Sequence, residues 1–158
     1  QAHQHLSDQF AQRTVAKHYL AVVQGRPTAP SGRIENHLGR HPVNRQKMAL
    51  VDPKRGKTAV TDYHCGASID QATLVHCRLH TGRTHQIRVH AQYLGTPILG
   101  DSKYSDDQTR QLSRQLGLKR LFLHAEKLSF EWGESGGRLQ LQAPLEQPLV
   151  NILSQLRI

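Results

Sequence analysis

The placement of proline constrains the fold of this chain more than any other sequence feature. Four prolines, at positions 27, 30, 42 and 53, fall within residues 26–58. Because proline lacks an amide hydrogen and disrupts the interior of a helix, this region cannot form a long helix. We therefore expect loops here, with short strands at residues 32–36 and 47–51.

Hydrophobic periodicity predicts the remaining elements. Residues 14–25, TVAKHYLAVVQG, are rich in β-branched and aromatic residues and predict a strand that ends at Gly25. Alternation along this strand places Tyr19 on the same face as Ala21. Further strands are expected at 59–65, 72–80, 121–132 and 138–144, with a turn at 66–71 joining the first two. Helices are expected at 3–13, 84–94 and 148–156, and a partly helical polar segment at 106–120. Strands with helices at the edges predict an α+β fold, with a mixed, largely antiparallel sheet, in a single domain over residues 1–158.

The charge balance favours a polyanionic partner. Twenty-one Lys and Arg against twelve Asp and Glu give a formal net charge of +9 and a pI near 10.1, so nucleic acid is the first candidate. The two cysteines form no zinc or C-x-x-C pattern, and Cys77 is expected to be a small buried hydrophobe. No apolar run is long enough for a membrane span and no signal peptide is present, which favours a cytoplasmic location.

Residues 79–101, LHTGRTHQIRVHAQYLGTPILGD, concentrate polar side chains around one hydrophobic stripe. Arg83 directly precedes the expected helix, where unpaired backbone amides and a guanidinium would together attract an anion. Arg88 lies five residues later, about 140° around the helix, so both cations cannot grip one small anion equally well. We infer one buried ion-pairing Arg and one outward Arg that contacts phosphate. The alternative is that both cover the surface.

Other chemistries find little support in the sequence. His85 and His90 are five residues apart, which does not match the four-residue spacing of helical zinc pairs, and no carboxylate or Cys completes a metal site. The chain contains no G-x-S-x-G, P-loop or G-x-G-x-x-G motif. A nuclease or another hydrolase that uses the histidines is therefore disfavoured, and no metal is expected.

Four segments of the chain resemble one known family. Residues 81–104, TGRTHQIRVHAQYLGTPILGDSKY, closely resemble the signature of the RluA-like RNA pseudouridine synthases. Residues 13–25, RTVAKHYLAVVQG, resemble that family's Tyr-bearing strand, and residues 40–63 resemble its connecting segment. Residues 118–130, with the later QAPL, resemble its C-terminal part. The resemblance covers essentially all of the chain and is greatest to enzymes that modify large-subunit ribosomal RNA.

The resemblance implies an isomerase that converts uridine to pseudouridine without metal or organic cofactor. Tyr19 would lie against the uracil ring, and Arg83 would pair with the catalytic Asp; a stacking ring suits a flipped base, and a buried carboxylate requires an Arg. Ile87 would form an apolar wall of the base pocket. The remaining motif residues are expected to contact substrate: Thr81, Thr84, His85, Gln86 and Arg88. RNA of the 23S type is the expected partner, no membrane is involved, and the protein is expected to be monomeric.

One departure from the family's pattern affects the expected activity. The family's nucleophilic Asp lies in an Arg-Leu-Asp stretch, and no such stretch occurs in this chain. Asp8 lies in the segment that resembles the helix downstream of that stretch, so it is not a substitute. We therefore expect the chain to be the later, N-terminally incomplete portion of a catalytic domain and to be inactive alone. The alternative is a non-catalytic RNA-binding module on the same scaffold.

Overall fold

A computed structural model describes residues 16–69, 71–132 and 137–156. In chain order, its elements are β1 (Ala16–Gln24), β2 (Ser31–Arg40), β3 (Met48–Leu50), β4 (Lys57–Ile69), β5 (Ala72–Leu79), α1 (Gln86–Tyr93), α2 (Asp107–Gln115), β6 (Leu123–Trp132), β7 (Gly137–Gln142) and α3 (Gln147–Leu156). The seven strands form one sheet with the order β3-β2-β4-β5-β1-β6-β7. Every pairing between them is antiparallel. The expected α+β fold is confirmed, while the helix expected at residues 3–13 lies outside the described residues.

Strand β1 lies inside the sheet, between β5 and β6. Ala21, Val22 and Val23 are successive residues of β1, and each is at most 3% exposed. Because neighbouring residues of a strand point to opposite faces, both faces of β1 are covered at this end. The strand ends before Gly25, whose φ of 77° is a left-handed conformation that glycine adopts without strain.

The proline-rich region forms strands and loops, as expected. Strand β2 is longer than the predicted 32–36, and β3 is shorter than the predicted 47–51. The turn predicted at 66–71 is also shorter, because β4 continues to Ile69. The extension contains a register shift between Cys65 and Ser68, which indicates a β-bulge.

Helix α1 buries Ile87 and Ala91 in the hydrophobic core. These two side chains line one pocket together with Val23 of β1 and Cys77 of β5. Burying a side chain such as Ile87 stabilises the fold by about 1.5–3 kcal/mol. Burial also raises the pKa of the Cys77 thiol to about 12, so its expected role as a small buried hydrophobe is confirmed.

The C-terminal part also follows the predicted pattern. Helix α2 occupies part of the polar segment 106–120, and Asp106 caps it by accepting a hydrogen bond from the Thr109 amide at 2.8 Å. Helix α3 buries Leu149, Ile152 and Leu156 in the core. None of the helices in the described part of the chain is long and apolar enough to cross a membrane.

Candidate active site

Tyr19 lies in the middle of β1, opposite Cys77 of β5 and Ala125 of β6. The register with β6 shifts between His18 and Tyr19, so a bulge interrupts the pairing beside this tyrosine. The Tyr19 side chain is half-buried, packs against the core and lines an open groove with Leu141 of β7. A bulge that redirects side chains next to an open groove is a common feature of binding sites.

The turn that bears Arg83 follows β5 and lies next to the start of β1. The register pairs Lys17 with Leu79, the last residue of β5. The amino group of Lys17 lies 2.8 Å from the position that a Cβ would take at Gly82. Lys17 was not among the residues predicted for the site, although it lies two residues before Tyr19 in the sequence. The pairing of β1 with β5 thus brings the two segments that carry the expected catalytic residues together.

Arg83 is half-buried and fixed at two points. Its Nε donates a hydrogen bond to the carbonyl of Thr58 at 2.7 Å, and its backbone amide donates to Oε1 of Gln86 at 3.0 Å. Among the described residues, no acceptor binds its two terminal nitrogens. Helix α1 begins three residues later, at Gln86, two residues after the predicted start. The free edge of the guanidinium therefore has the geometry to bind a carboxylate or a phosphate.

Gln86 is 2% exposed and makes four hydrogen bonds. Its Oε1 accepts from the Thr81 hydroxyl at 2.7 Å and from the amide of Arg83, and its Nε2 donates to the Val60 carbonyl at 3.0 Å and to Thr61 Oγ1 at 2.8 Å. Thr81, which is 4% exposed, also accepts from the Val60 amide at 2.9 Å. Thr81 and Gln86, which were expected to contact substrate, both lie inside the protein, and the expected contact stays a prediction. They attach the turn to β4.

His90 belongs to the same buried network. Its ring nitrogens contact Thr61 Oγ1 and Asn36 Oδ1, each at 2.8 Å. Burial lowers the pKa of His90 to about 4, so the ring is neutral at pH 7. No group of three or more metal-ligating side chains occurs within the described ranges.

His85 adopts a strained backbone conformation at the start of α1. Its φ of 56° is the one positive φ of a residue other than glycine in the described part of the chain. The Nδ1 atom of His85 is 2.6 Å from the hydroxyl oxygen of Tyr104. The same oxygen accepts a hydrogen bond from the Met48 amide at 2.8 Å. Burial, followed by the nearby charges of Arg88 and Lys103, lowers the pKa of His85. Strain of this kind, held by surrounding contacts, is concentrated at functional sites. The adjacent Thr84 is exposed.

Arg88 forms a buried ion pair with Asp101. The Nε and Nη2 atoms of Arg88 lie 2.9 and 2.8 Å from the two carboxylate oxygens, and the side chains are 16% and 0% exposed. Burial alone would raise the pKa of Asp101, but hydrogen bonds from Arg88 and from the amides of Lys103 and Tyr104 lower it, so the carboxylate is charged. Arg88 does not have the outward position that was expected, because Asp101 binds it, and a contact with substrate stays a prediction. Asp101, 13 residues later in the chain, was not among the residues predicted for the site.

The expected site residues thus divide into two groups. Tyr19, Arg83, Thr84 and His85 are at least partly exposed. Thr81, Gln86 and Ile87 are buried, and Arg88, whose side chain is 16% exposed, is bound by Asp101. The interior group holds the turn in place, and the exposed group can meet a ligand.

Comparison with known proteins identifies the family. A family model described as RNA pseudouridylate synthase matches residues 1–93. The chain is 40% identical to ribosomal large subunit pseudouridine synthase D of Zymomonas mobilis, over 99% of this chain and 50% of that protein. It is 39% identical to ribosomal large subunit pseudouridine synthase C of Vibrio cholerae, over 97% of this chain and 48% of that protein.

A solved structure supports the same identification. Human RNA pseudouridylate synthase domain containing 4 matches with a TM-score of 0.79 and 29% identity, over 98% of this chain and 67% of that one. The chain spans about half the length of the curated relatives described above. A family model that covers more than half of the chain, with relatives near 40% identity, leads to one conclusion: the chain belongs to the RNA pseudouridylate synthase family, and the RluA-like resemblance is confirmed.

Proposed function

We propose that the protein of which this chain forms a part isomerises uridine to pseudouridine in structured RNA, with large-subunit ribosomal RNA as its substrate. The observation that carries the proposal is the β1–β5 pairing, which places the strand of Tyr19 beside the turn of Arg83. The names of the relatives support the choice of RNA. We further propose that residues 1–158 belong to one catalytic domain of a monomeric cytoplasmic enzyme that uses no metal or organic cofactor.

The reaction is an exchange of bonds on one base. The bond between N1 of uracil and C1′ of ribose breaks, the base rotates, and C5 forms a new bond to C1′. The proton on C5 is lost and N1 gains one, so the atoms balance without a co-reactant. Tyr19 supplies an aromatic ring on which an unstacked uracil can lie, and its hydroxyl is a candidate acceptor of the C5 proton.

Arg83 has a positioning role in this proposal. Its Nε is already bound to the Thr58 carbonyl, so the orientation of the guanidinium is fixed before a ligand arrives. A catalytic aspartate from the rest of the protein would accept hydrogen bonds from the terminal nitrogens and remain ionised beside this cation. Thr84 and His85, which are accessible next to Arg83, are proposed to contact the RNA.

Tritium release from RNA labelled at C5 of uridine tests the proposal in the full-length protein. We expect Arg83→Lys to reduce turnover by about 100-fold or more, because Lys lacks the fork of hydrogen-bond donors. RNA affinity should change little. Arg114→Lys, at an exposed position of α2, is the matched control and should retain normal turnover. Near-normal turnover of the Arg83→Lys variant would refute the role assigned to this residue.

Two variants of Tyr19 separate its functions. Tyr19→Phe keeps the stacking ring and removes the hydroxyl, whereas Tyr19→Ala removes both. If the hydroxyl accepts the proton, Tyr19→Phe should lose about 100-fold or more in turnover, and Tyr19→Ala should in addition weaken binding of the target nucleotide. A full-length protein that binds RNA and releases no tritium would be the non-catalytic RNA-binding module.

A further inference from the structure

A strongly basic segment connects β2 with β4. Residues 40–57 contain six Lys and Arg and one acidic residue, Asp52, and so contribute +5 of the formal net charge of +9. Three of these cations, Arg40, Arg45 and Arg55, line one open groove, which we call the basic groove. Asp52, Leu50 and Val51 also line it. All three arginines are exposed. None of the roles assigned above uses this groove.

Two glycines give the groove a fixed shape. A Cβ at Gly56 would lie 2.5 Å from both the Leu38 carbonyl oxygen and Cγ2 of Val51. A Cβ at Gly39 would lie 2.7 Å from the carbonyl oxygen of Arg55. The turn before β4 therefore packs directly on β2 at a distance that any side chain would prevent. This contact holds the backbone of Arg55 beside the strand that ends in Arg40.

The loop on the other side of the groove is ordered by its own side chains. The Nδ1 of His41 accepts hydrogen bonds from the amides of Val43 and Asn44, at 3.1 and 3.0 Å. The Asn44 side chain accepts from the Gln46 amide at 3.1 Å. Such side-chain-to-backbone bonds stabilise tight turns. The loop that bears Arg45 is thus positioned before any ligand binds.

The charges of the groove are only weakly neutralised by the protein. The closest contact between Arg55 and Asp52 is 3.9 Å, between exposed side chains. Arg40 and Arg45 each donate one long hydrogen bond, of 3.4 Å, to a backbone carbonyl of the same loop. Three guanidinium groups around one groove repel each other, and an anion that bridges them relieves this repulsion.

Two contacts link the basic segment with the turn that bears Arg83. Thr58, whose carbonyl holds Arg83, directly follows the basic segment in the chain. Lys47 lies over the ring of Tyr104, 5.6 Å from its centroid, and the hydroxyl of Tyr104 contacts His85. The segment that carries the groove is thus anchored to the Arg83 turn.

We propose that the basic groove binds the phosphodiester backbone of the substrate RNA at nucleotides that flank the target uridine. Arginine binds phosphate through two parallel hydrogen bonds, and contacts of this kind set the register of a nucleic acid on a protein. The identity of the ligand as RNA rests on the proposed function. Binding to phosphate without contacts to base edges makes this site tolerant of sequence, so the uridine is selected elsewhere.

Filter binding of unmodified large-subunit ribosomal RNA, transcribed in vitro, tests the proposal in the full-length protein at several salt concentrations. The groove variant carries Arg40→Gln, Arg45→Gln and Arg55→Gln. The matched control carries Arg26→Gln, Arg114→Gln and Lys119→Gln, which removes the same charge from exposed positions outside the groove. A third variant replaces the three groove arginines with Lys. Circular dichroism melting verifies that all variants fold.

We expect the groove variant to reduce the slope of log K against log salt by about two to three units, because each lost phosphate contact contributes about 0.7–0.9. Its affinity near ~0.1 M salt should fall about 10- to 100-fold, and the control should change by less than about threefold. The Lys variant keeps the charge, so it should recover most of the slope.

Two results would overturn the proposal. One is a groove variant whose RNA affinity and salt dependence of binding are both unchanged. That result would favour an acidic protein as the partner of the groove. The other is an equal loss in the control, which would show an effect of net charge alone. Tritium release by the wild-type protein is measured separately. If the wild type releases no tritium but the groove variant loses RNA affinity as expected, the proposed function is contradicted and the assignment of the groove to RNA binding is supported.

Discussion

Replacing Asp101 with Asn tests whether the Arg88–Asp101 pair stabilises the fold. The substitution keeps the shape and one oxygen acceptor for the amides of Lys103 and Tyr104, and it removes the charge that balances Arg88. Breaking a buried ion pair by removing one partner costs about 3–5 kcal/mol. Because the backbone contacts survive, we expect the lower end of that range, about 3 kcal/mol. For a chain of this size the melting midpoint should fall by about 6–12 °C.

Urea unfolding, followed by circular dichroism, measures this loss, and its pH dependence identifies the cause. The pKa of Asp101 is lower in the folded protein than in the unfolded chain, so its stabilisation is present above the unfolded pKa of about 4 and is lost as the pH falls through the folded value. The gap between wild type and Asp101→Asn should be constant from about pH 5 to 8 and should narrow below about pH 4. Adding Arg88→Met should restore part of the stability. A gap below about 1 kcal/mol at pH 7, or one that does not narrow in acid, would refute the reasoning.

Three further predictions concern the interior of the protein. Gln86→Glu replaces the amide donor that faces the Val60 carbonyl, so turnover measured by tritium release should fall more than RNA affinity does. Thr73→Val, at an equally buried hydrogen-bonded position, should lower stability alone. Equal effects of the two variants on turnover would contradict this prediction. Gly56→Ala should destabilise the protein by about 1–3 kcal/mol in urea unfolding, because its Cβ would overlap the Leu38 carbonyl. Gly66→Ala, where the nearest atom to the new Cβ is 3.4 Å away, should cost less. The Cys77 thiol should react with a thiol reagent only after unfolding, and rapid labelling of the native protein would count against its burial.

Much of the fold could be predicted from local patterns. The alternation in residues 14–25 correctly predicted β1 and its end at Gly25, and the stripe from Ile87 to Leu94 correctly predicted α1. The errors occur at strand ends. Strand β2 extends beyond residue 36 because His37 and Leu38 pair with Thr58 and Lys57 of β4. Such an extension depends on a partner about 20 residues away, and the local sequence does not contain that information.

The site was harder to predict, because polar residues near a helix start can bind ligands or hold the turn. Gln86 has buried partners in β4, 25 and 26 residues earlier in the chain, and no local pattern indicates them. The five-residue separation of Arg83 and Arg88 correctly indicated that their environments differ. Which of the two is buried was decided by Asp101, 13 residues after Arg88.

The Arg88–Asp101 pair has a consequence for Arg83. Arg88 is already neutralised by a carboxylate at 2.8 Å and is 16% exposed, so a second anion would gain little attraction there. Arg83 uses its Nε to bind an uncharged carbonyl, which fixes the guanidinium without neutralising it. Of the two cations in this motif, Arg83 therefore retains the capacity to hold an incoming carboxylate. In the proposed mechanism, a carboxylate held there acts on a base stacked on Tyr19.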